Sequence, residues 1–152
     1  MRGAGRSAPR RRSREAALQV LYALDLAARG SGVPPTPAAA EEALENAAAH
    51  LELPPSAREF ARELVHGVVA HRDKLDALVA RHATHWRLDR MAAVDRNVLR
   101  LAAYETLYTS TPAAVVIDEA VRLAHRFASD ESPGFVNGVL DALARAVRGD
   151  AG

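Results

Sequence analysis

Proline decides which helices this chain can build, because it lacks an amide donor and its ring clashes with the carbonyl four residues back. The eight prolines stand at positions 9, 34, 35, 37, 54, 55, 112 and 133. That distribution places them in the N-terminal tail, in linkers or at helix starts, and leaves long proline-free stretches between. Those stretches carry apolar residues at helical spacing. From Arg11 to about Ala28, a single stripe runs through Ala17, Val20, Leu21, Leu24 and Ala28. Residues 29–37 read as a linker, after which Thr36 caps a short alanine-rich helix with Pro37 at its first position. Ser56-Ala57-Arg58-Glu59 has the capping-box pattern and predicts one long helix reaching His82, with Ala61, Leu64, Val68, Leu75 and Leu78 on one side. Further helices are predicted near Val94–Tyr108 and Val116–Ala128. A last one is capped by Ser132-Pro133 and carries Val136, Val139, Leu140, Leu143 and Val147. Only Ala114–Ile117 reads as a strand, and one strand cannot make a sheet. The expectation is an all-α chain of six or seven helices.

Composition supports this reading. Aromatics make up 5% of the 152 residues while alanine occurs 33 times, so the core must be aliphatic and closely packed, which suits helices. The length fits one domain. Residues 1–9 are expected to form a flexible basic tail, 10–148 a single helical domain with the 29–37 linker inside it, and 149–152 a disordered C-terminus. Cysteine is absent, which removes disulfide scaffolds and thiolate metal sites and fits a cytoplasmic protein. No apolar run approaches the roughly 20 residues of a membrane span.

Catalytic patterns fail on spacing. His71-Arg72-Asp73 resembles part of a kinase catalytic loop, but Leu78 stands where that loop needs asparagine, and no Gly-rich phosphate loop exists. Glu63-x-x-His66 occurs once, whereas di-iron bundles need two such motifs and two further carboxylates. His82 and His85 lack a third metal ligand at matching spacing. No enzyme, cofactor or metal site is expected.

The charge pattern is more informative. Arg2, Arg6, Arg10, Arg11, Arg12 and Arg14 fall within the first 14 residues with no acid among them, leaving 14 basic and 19 acidic groups in the rest. Cations crowded at a helix start oppose the macrodipole and repel each other. Such a breach of local consistency points to a phosphate-binding function. The run passes straight into a structural helix, which argues against a transit peptide. At the last helix, Ser132-Pro133-Gly134-Phe135 sets a helix start beside an aromatic ring, suited to a phosphate and a stacked base. Phe135 sits one residue off the buried stripe, which favours its exposure.

Four ordered blocks carry a resemblance: Arg10 through Tyr22, Val94 through Glu105, Val116 through Ala124, and Phe135 through Asp141. Together they resemble the bacterial transcription antitermination factor NusB family. The resemblance covers about 10–28 and 58–145 and leaves residues 30–55 unassigned. It implies two packed helical subdomains and binding of single-stranded boxA RNA from ribosomal RNA leader transcripts. NusE, a ribosomal protein, is the implied co-binder, and read-through by the RNA polymerase antitermination complex the implied outcome. It further implies that Arg10, Arg11, Arg12 and Arg14 bind RNA, with Tyr22, Phe127, Glu131, Ser132, Phe135 and Asn137 close by, and that Asp89 and Asp95 face NusE. Gly134 replaces a lysine often found in the family, which removes one phosphate contact. Relatives occur as monomers and as homodimers. The competing reading is a helical protein-binding adaptor with an incidental basic tail. A ribosomal RNA methyltransferase with a NusB-like domain would need a cysteine nucleophile, which this sequence lacks.

Overall fold

Helices α1 (Arg2–Ser31), α2 (Pro37–His50) and α3 (Pro55–Ala70) build one compact unit, residues 1–70. The second unit, residues 71–152, holds α4 (Arg72–His82), a 3₁₀ turn at Leu88–Arg90, α5 (Ala93–Tyr108), α6 (Ala113–Phe127) and α7 (Ser132–Arg148). This computed structural model describes residues 2–84 and 86–149. Among them there is no strand, and no helix is long and apolar enough to cross a membrane.

In the first unit each helix packs on the other two. The stripe on α1 (Ala17, Val20, Leu21, Leu24) is buried against Ala40, Leu44 and Ala48 of α2 and Ala57, Ala61, Leu64 and Val68 of α3. Alanines at these contacts let the helix axes approach closely, and the leucines fill the space between. The fully buried Ser13 hydroxyl donates across the α1–α3 contact to the Ala57 carbonyl at 2.6 Å. Thr36 caps α2 as expected, its hydroxyl accepting from the Ala39 amide at 3.1 Å with Pro37 as first helical residue. Helix α1 ends where Gly32 turns left-handed (φ 75°) and its amide donates to the Ala28 carbonyl at 2.8 Å.

The second unit is organised around α5, which is buried at every residue from Arg96 to Thr106 and packs on α4, α6 and α7. A helix buried all round must pair its polar side chains internally. Arg100 does so bidentately, Nε and Nη2 lying 2.6 and 3.0 Å from the two carboxylate oxygens of Asp76 on α4, while Nη1 reaches Asn97 at 3.1 Å. At the other end, the Arg148 guanidinium donates to the carbonyls of Glu105, Thr106, Thr109 and Thr111 at 2.6–3.2 Å. One cation thereby satisfies the open C-terminus of α5.

Several local expectations are corrected. Helix α1 begins at Arg2 and contains Pro9, so the stretch expected as a flexible tail is helical from Arg2 onward, and Ser13 Oγ lies 2.9 Å from the Pro9 carbonyl oxygen. The helix expected to run to His82 is broken at His71. There the imidazole stacks on Tyr108 (centroids 4.3 Å apart) and the backbone leaves helical geometry, and Asp73 favours a new helix start. Ser56 is not the cap of α3: the helix starts at Pro55, and the Pro54 carbonyl accepts from Arg58 at 2.9 Å. Residues Ala114–Ile117 lie in α6, where Val116, Ala120 and Leu123 become buried only at helical spacing. Of the C-terminal stretch, only Gly149 falls within the described residues.

Glu41 on α2 joins this helix to α3, its carboxylate hydrogen-bonding Arg62 and standing 2.7 Å from His66 Nε2. These contacts, His66 first and Arg62 second, hold the Glu41 carboxyl down to about 2 from its ordinary 4.5. The stabilisation they give is complete above pH 4.5 and is lost as pH falls through about 2. Glu41→Gln should therefore flatten the pH dependence of the unfolding midpoint in that window; a wild-type slope in the variant would remove the contact's role.

Candidate nucleic-acid interface

Two groups of side chains stand out, one in each unit. In the first unit α1 carries Arg10, Arg11, Arg12 and Arg14. Since the helix starts at Arg2, these lie beyond its first turn, where the macrodipole no longer opposes them strongly. Arg10 and Arg14, four residues apart, share a face and flank Phe60 of α3, their guanidinium carbons 4.1 and 5.4 Å from the ring centroid. Arg10 is exposed while Arg14 is only 4% exposed. Arg14 thus lies beneath the charged surface on which Arg10, Arg11 and Arg12 stand. Arg12 is exposed and donates through Nη2 to the carbonyls of Leu51 (2.9 Å) and Glu52 (3.4 Å) at the end of α2. The Leu51 carbonyl caps the negative end of that helix and offsets part of the arginine's charge. Arg11 is exposed, and eleven residues later the exposed Tyr22 returns to the same face, about 16 Å along the axis.

In the second unit a cleft of about 220 Å³ opens beside the start of α7. Trp86, Arg90 and Met91 line it from the segment before α5, Asp95 from α5, and Glu131, Ser132 and Phe135 from the start of α7. Phe135 is half-buried because Trp86 covers it, the rings meeting edge-on at 5.6 Å and 66°. Where the offset from the stripe favoured exposure, the ring is half-buried and a second ring shares the site. Ser132 is buried, its hydroxyl 3.0 Å from that of Ser129, and it is the first residue of α7 rather than its cap. Glu131 and Asn137 are exposed. Phe127 ends α6 half-buried, with the Arg126 guanidinium 5.1 Å from its ring centroid. Space around Gly134 is open, so lysine is absent there by sequence and not by crowding.

The two aspartates separate. Asp89 is exposed and pairs with Arg87 at 3.4 Å. Asp95 lines the cleft, half-buried, with Oδ1 buried and without a hydrogen-bond partner. Of the two residues expected to face NusE, Asp89 thus stands on the open surface and Asp95 in the wall of the cleft.

Sequence reasoning missed Phe60 and Trp86. A signal existed for Trp86: the single tryptophan of the chain stands in a polar turn, where burial does not explain it. Phe60 gave none, since its pairing with Arg10 and Arg14 depends on the α1–α3 contact.

The model of the NusB family matches residues 11–145. The chain is 48% identical over 143 residues to the transcription antitermination protein NusB of Myxococcus xanthus, covering 91% of this chain and 96% of that protein. It is 43% identical to the corresponding Bacillus subtilis protein, covering 88% and 93%. Among solved structures, T. maritima NusB superposes with a TM-score of 0.76 at 35% identity, over 90% of each chain. A structure of antitermination factors NusB and NusE in complex with double-stranded RNA matches at 0.78 and 30%, covering 91% of this chain and 98% of that one.

The half-buried state of Phe135 sets the cost of losing it. Phe135→Ala should lower stability by about 2 kcal/mol, below the 3–5 typical of a fully buried ring, as read by denaturant unfolding. A loss above 4 would place the ring in the core.

Proposed function

Because the chain belongs to the NusB family, we propose that it is a non-enzymatic, cytoplasmic RNA-binding antitermination factor. In this reading it binds boxA RNA of ribosomal RNA leader transcripts jointly with NusE and supports read-through by RNA polymerase, residues 10–148 working as one RNA-binding domain. The observation that carries it is the likeness over nine-tenths of the chain to a NusB seen with NusE and RNA.

Arg10, Arg11 and Arg12 present guanidinium groups on the surface of α1, each with five donors in a planar fork that fits phosphate oxygens. Neutralising phosphates releases condensed counterions, which makes the binding salt-dependent. Arg14 acts beneath them by holding the Phe60 ring against which Arg10 rests. Tyr22 extends the same face towards an RNA base. In the second unit Phe135, Phe127, Glu131, Ser132 and Asn137 supply rings and polar groups for the RNA, and the exposed Asp89 offers a negative charge to NusE.

Three phosphate contacts on single-stranded RNA give a log–log salt slope of about −2. Replacing Arg10, Arg11 and Arg12 together by glutamine should flatten that slope while helicity is kept. An unchanged slope would falsify the arginine surface as the phosphate contact.

For the partner, Asp89→Lys should weaken NusE binding at least tenfold and leave RNA binding by the chain alone unchanged, both measured by titration. Intact NusE binding in that variant sinks the Asp89 assignment. A wild-type chain that binds NusE but no RNA would favour the protein-binding adaptor.

A further inference from the structure

We propose that Arg58, at the start of α3, is a further RNA contact, taking the phosphate next to those on the arginines of α1; this rests on the RNA-binding reading and extends its surface to a second helix. What holds each arginine separates them into two kinds. Arg62, Arg87, Arg100 and Arg145 sit on carboxylates, those of Glu41, Asp89, Asp76 and Asp141. Arg58 is exposed and donates through Nη2 to a neutral group, the Leu53 carbonyl at 3.3 Å. Arg10 on the Phe60 ring and Arg12 on the carbonyls of Leu51 and Glu52 are held in the same way. A neutral partner fixes a guanidinium without cancelling its charge, whereas a carboxylate does both. Arg58 also stands in the first turn of α3, where a cation opposes the macrodipole, and that turn holds no acid.

Geometry joins Arg58 to Arg12. The carbonyls they engage belong to consecutive residues, Leu51, Glu52 and Leu53, so at most about 8 Å of chain separates the first from the last. Glu52, between the two leucines, has a φ of 52°, a left-handed conformation that glutamate rarely adopts. The strained residue is thus flanked by two arginine-held carbonyls, and strain of this kind collects at binding sites. One turn further along α3 the charge is spent. A cleft of about 300 Å³ between α2 and α3 is lined there by Glu45 and Arg62 besides Arg58, and Arg62 already pairs with Glu41. Arg58 therefore adds one phosphate to the surface, not a run of them.

The test is single-stranded boxA RNA, extended at both ends, titrated into the full chain at several salt concentrations. Arg58→Gln removes the charge and keeps an amide donor for the Leu53 carbonyl, so its unfolding midpoint should stay near native. Its log–log salt slope should be shallower than that of the wild-type chain by about 0.7, which is about threefold less affinity lost over a fourfold rise in salt. The change should be the same for boxA and scrambled RNA, since a phosphate carries no sequence. Placing one neutral methylphosphonate at each phosphate in turn locates the contact. One position should flatten the wild-type slope by the same amount and leave that of Arg58→Gln as it is. A wild-type slope in Arg58→Gln, with the triple variant of α1 flattened, overturns this contact and leaves the α1 surface standing. A loss of affinity equal at every salt concentration marks Arg58 as a structural support and overturns it too. Absence of any RNA binding by the wild-type chain removes the RNA-binding reading and this contact with it. Should Arg58→Gln fail to fold, Arg58→Met, which keeps an apolar stem, takes its place in the same measurements.

Discussion

The second unit depends on α5 being buried along its whole middle while carrying Arg96, Asn97, Arg100 and Glu105. Buried charges are tolerated only when paired and hydrogen-bonded, so the two buried guanidinium groups dictate where neighbouring elements must lie. Arg100 requires Asp76 and so fixes α4. Arg96 donates to the carbonyls of Leu88 (3.3 Å) and Met91 (2.8 Å), which pins the 3₁₀ turn just before α5. That turn holds Arg90 and follows Trp86. A requirement of the core, satisfaction of a buried guanidinium, thereby places two side chains of the surface cleft.

The first unit solves a different problem. Its core is small residues and leucine, and the α1–α3 contact is close enough for a serine hydroxyl on one helix to reach a carbonyl on the other. The same closeness brings Phe60 under α1, where two arginines use it. Packing and charge display are therefore one arrangement: the helix that buries Ala17, Val20 and Leu21 also presents Arg10, Arg11 and Arg12.

How much of this was legible follows from the range of each interaction. Pro37, Pro112 and the apolar stripes act within a turn or two, and the helices they imply are present at close to the expected positions. The break at His71 was not legible, because it accompanies a ring contact with Tyr108, a residue distant in sequence. Val115, Val116 and Ile117 suggested a strand because β-branched residues favour strands locally, and burial of Val116 and Ala120 along a helix overrode that preference. Among site residues, the arginines announced themselves by number and Phe135 by its offset from the stripe. The burial of Arg14, the cover that Trp86 gives Phe135 and the retreat of Asp95 into the cleft all depend on neighbours brought together by the fold.

The preference for arginine over lysine has a physical consequence on α1. Arg12 donates through Nη2 to two carbonyls of its own unit, and a guanidinium keeps Nε and Nη1 donors pointing in other directions within the same plane. Arg10 rests its guanidinium carbon 4.1 Å from the centroid of the Phe60 ring, a contact that uses none of its N–H donors. An ammonium has no such division of labour: its three donors radiate from one atom, and its strong hydration opposes lying against a ring. In the proposed RNA contact, arginines at these positions hold themselves in place with one part of the group and bind with another. Side chains held in this way lose correspondingly less conformational entropy when they bind a ligand.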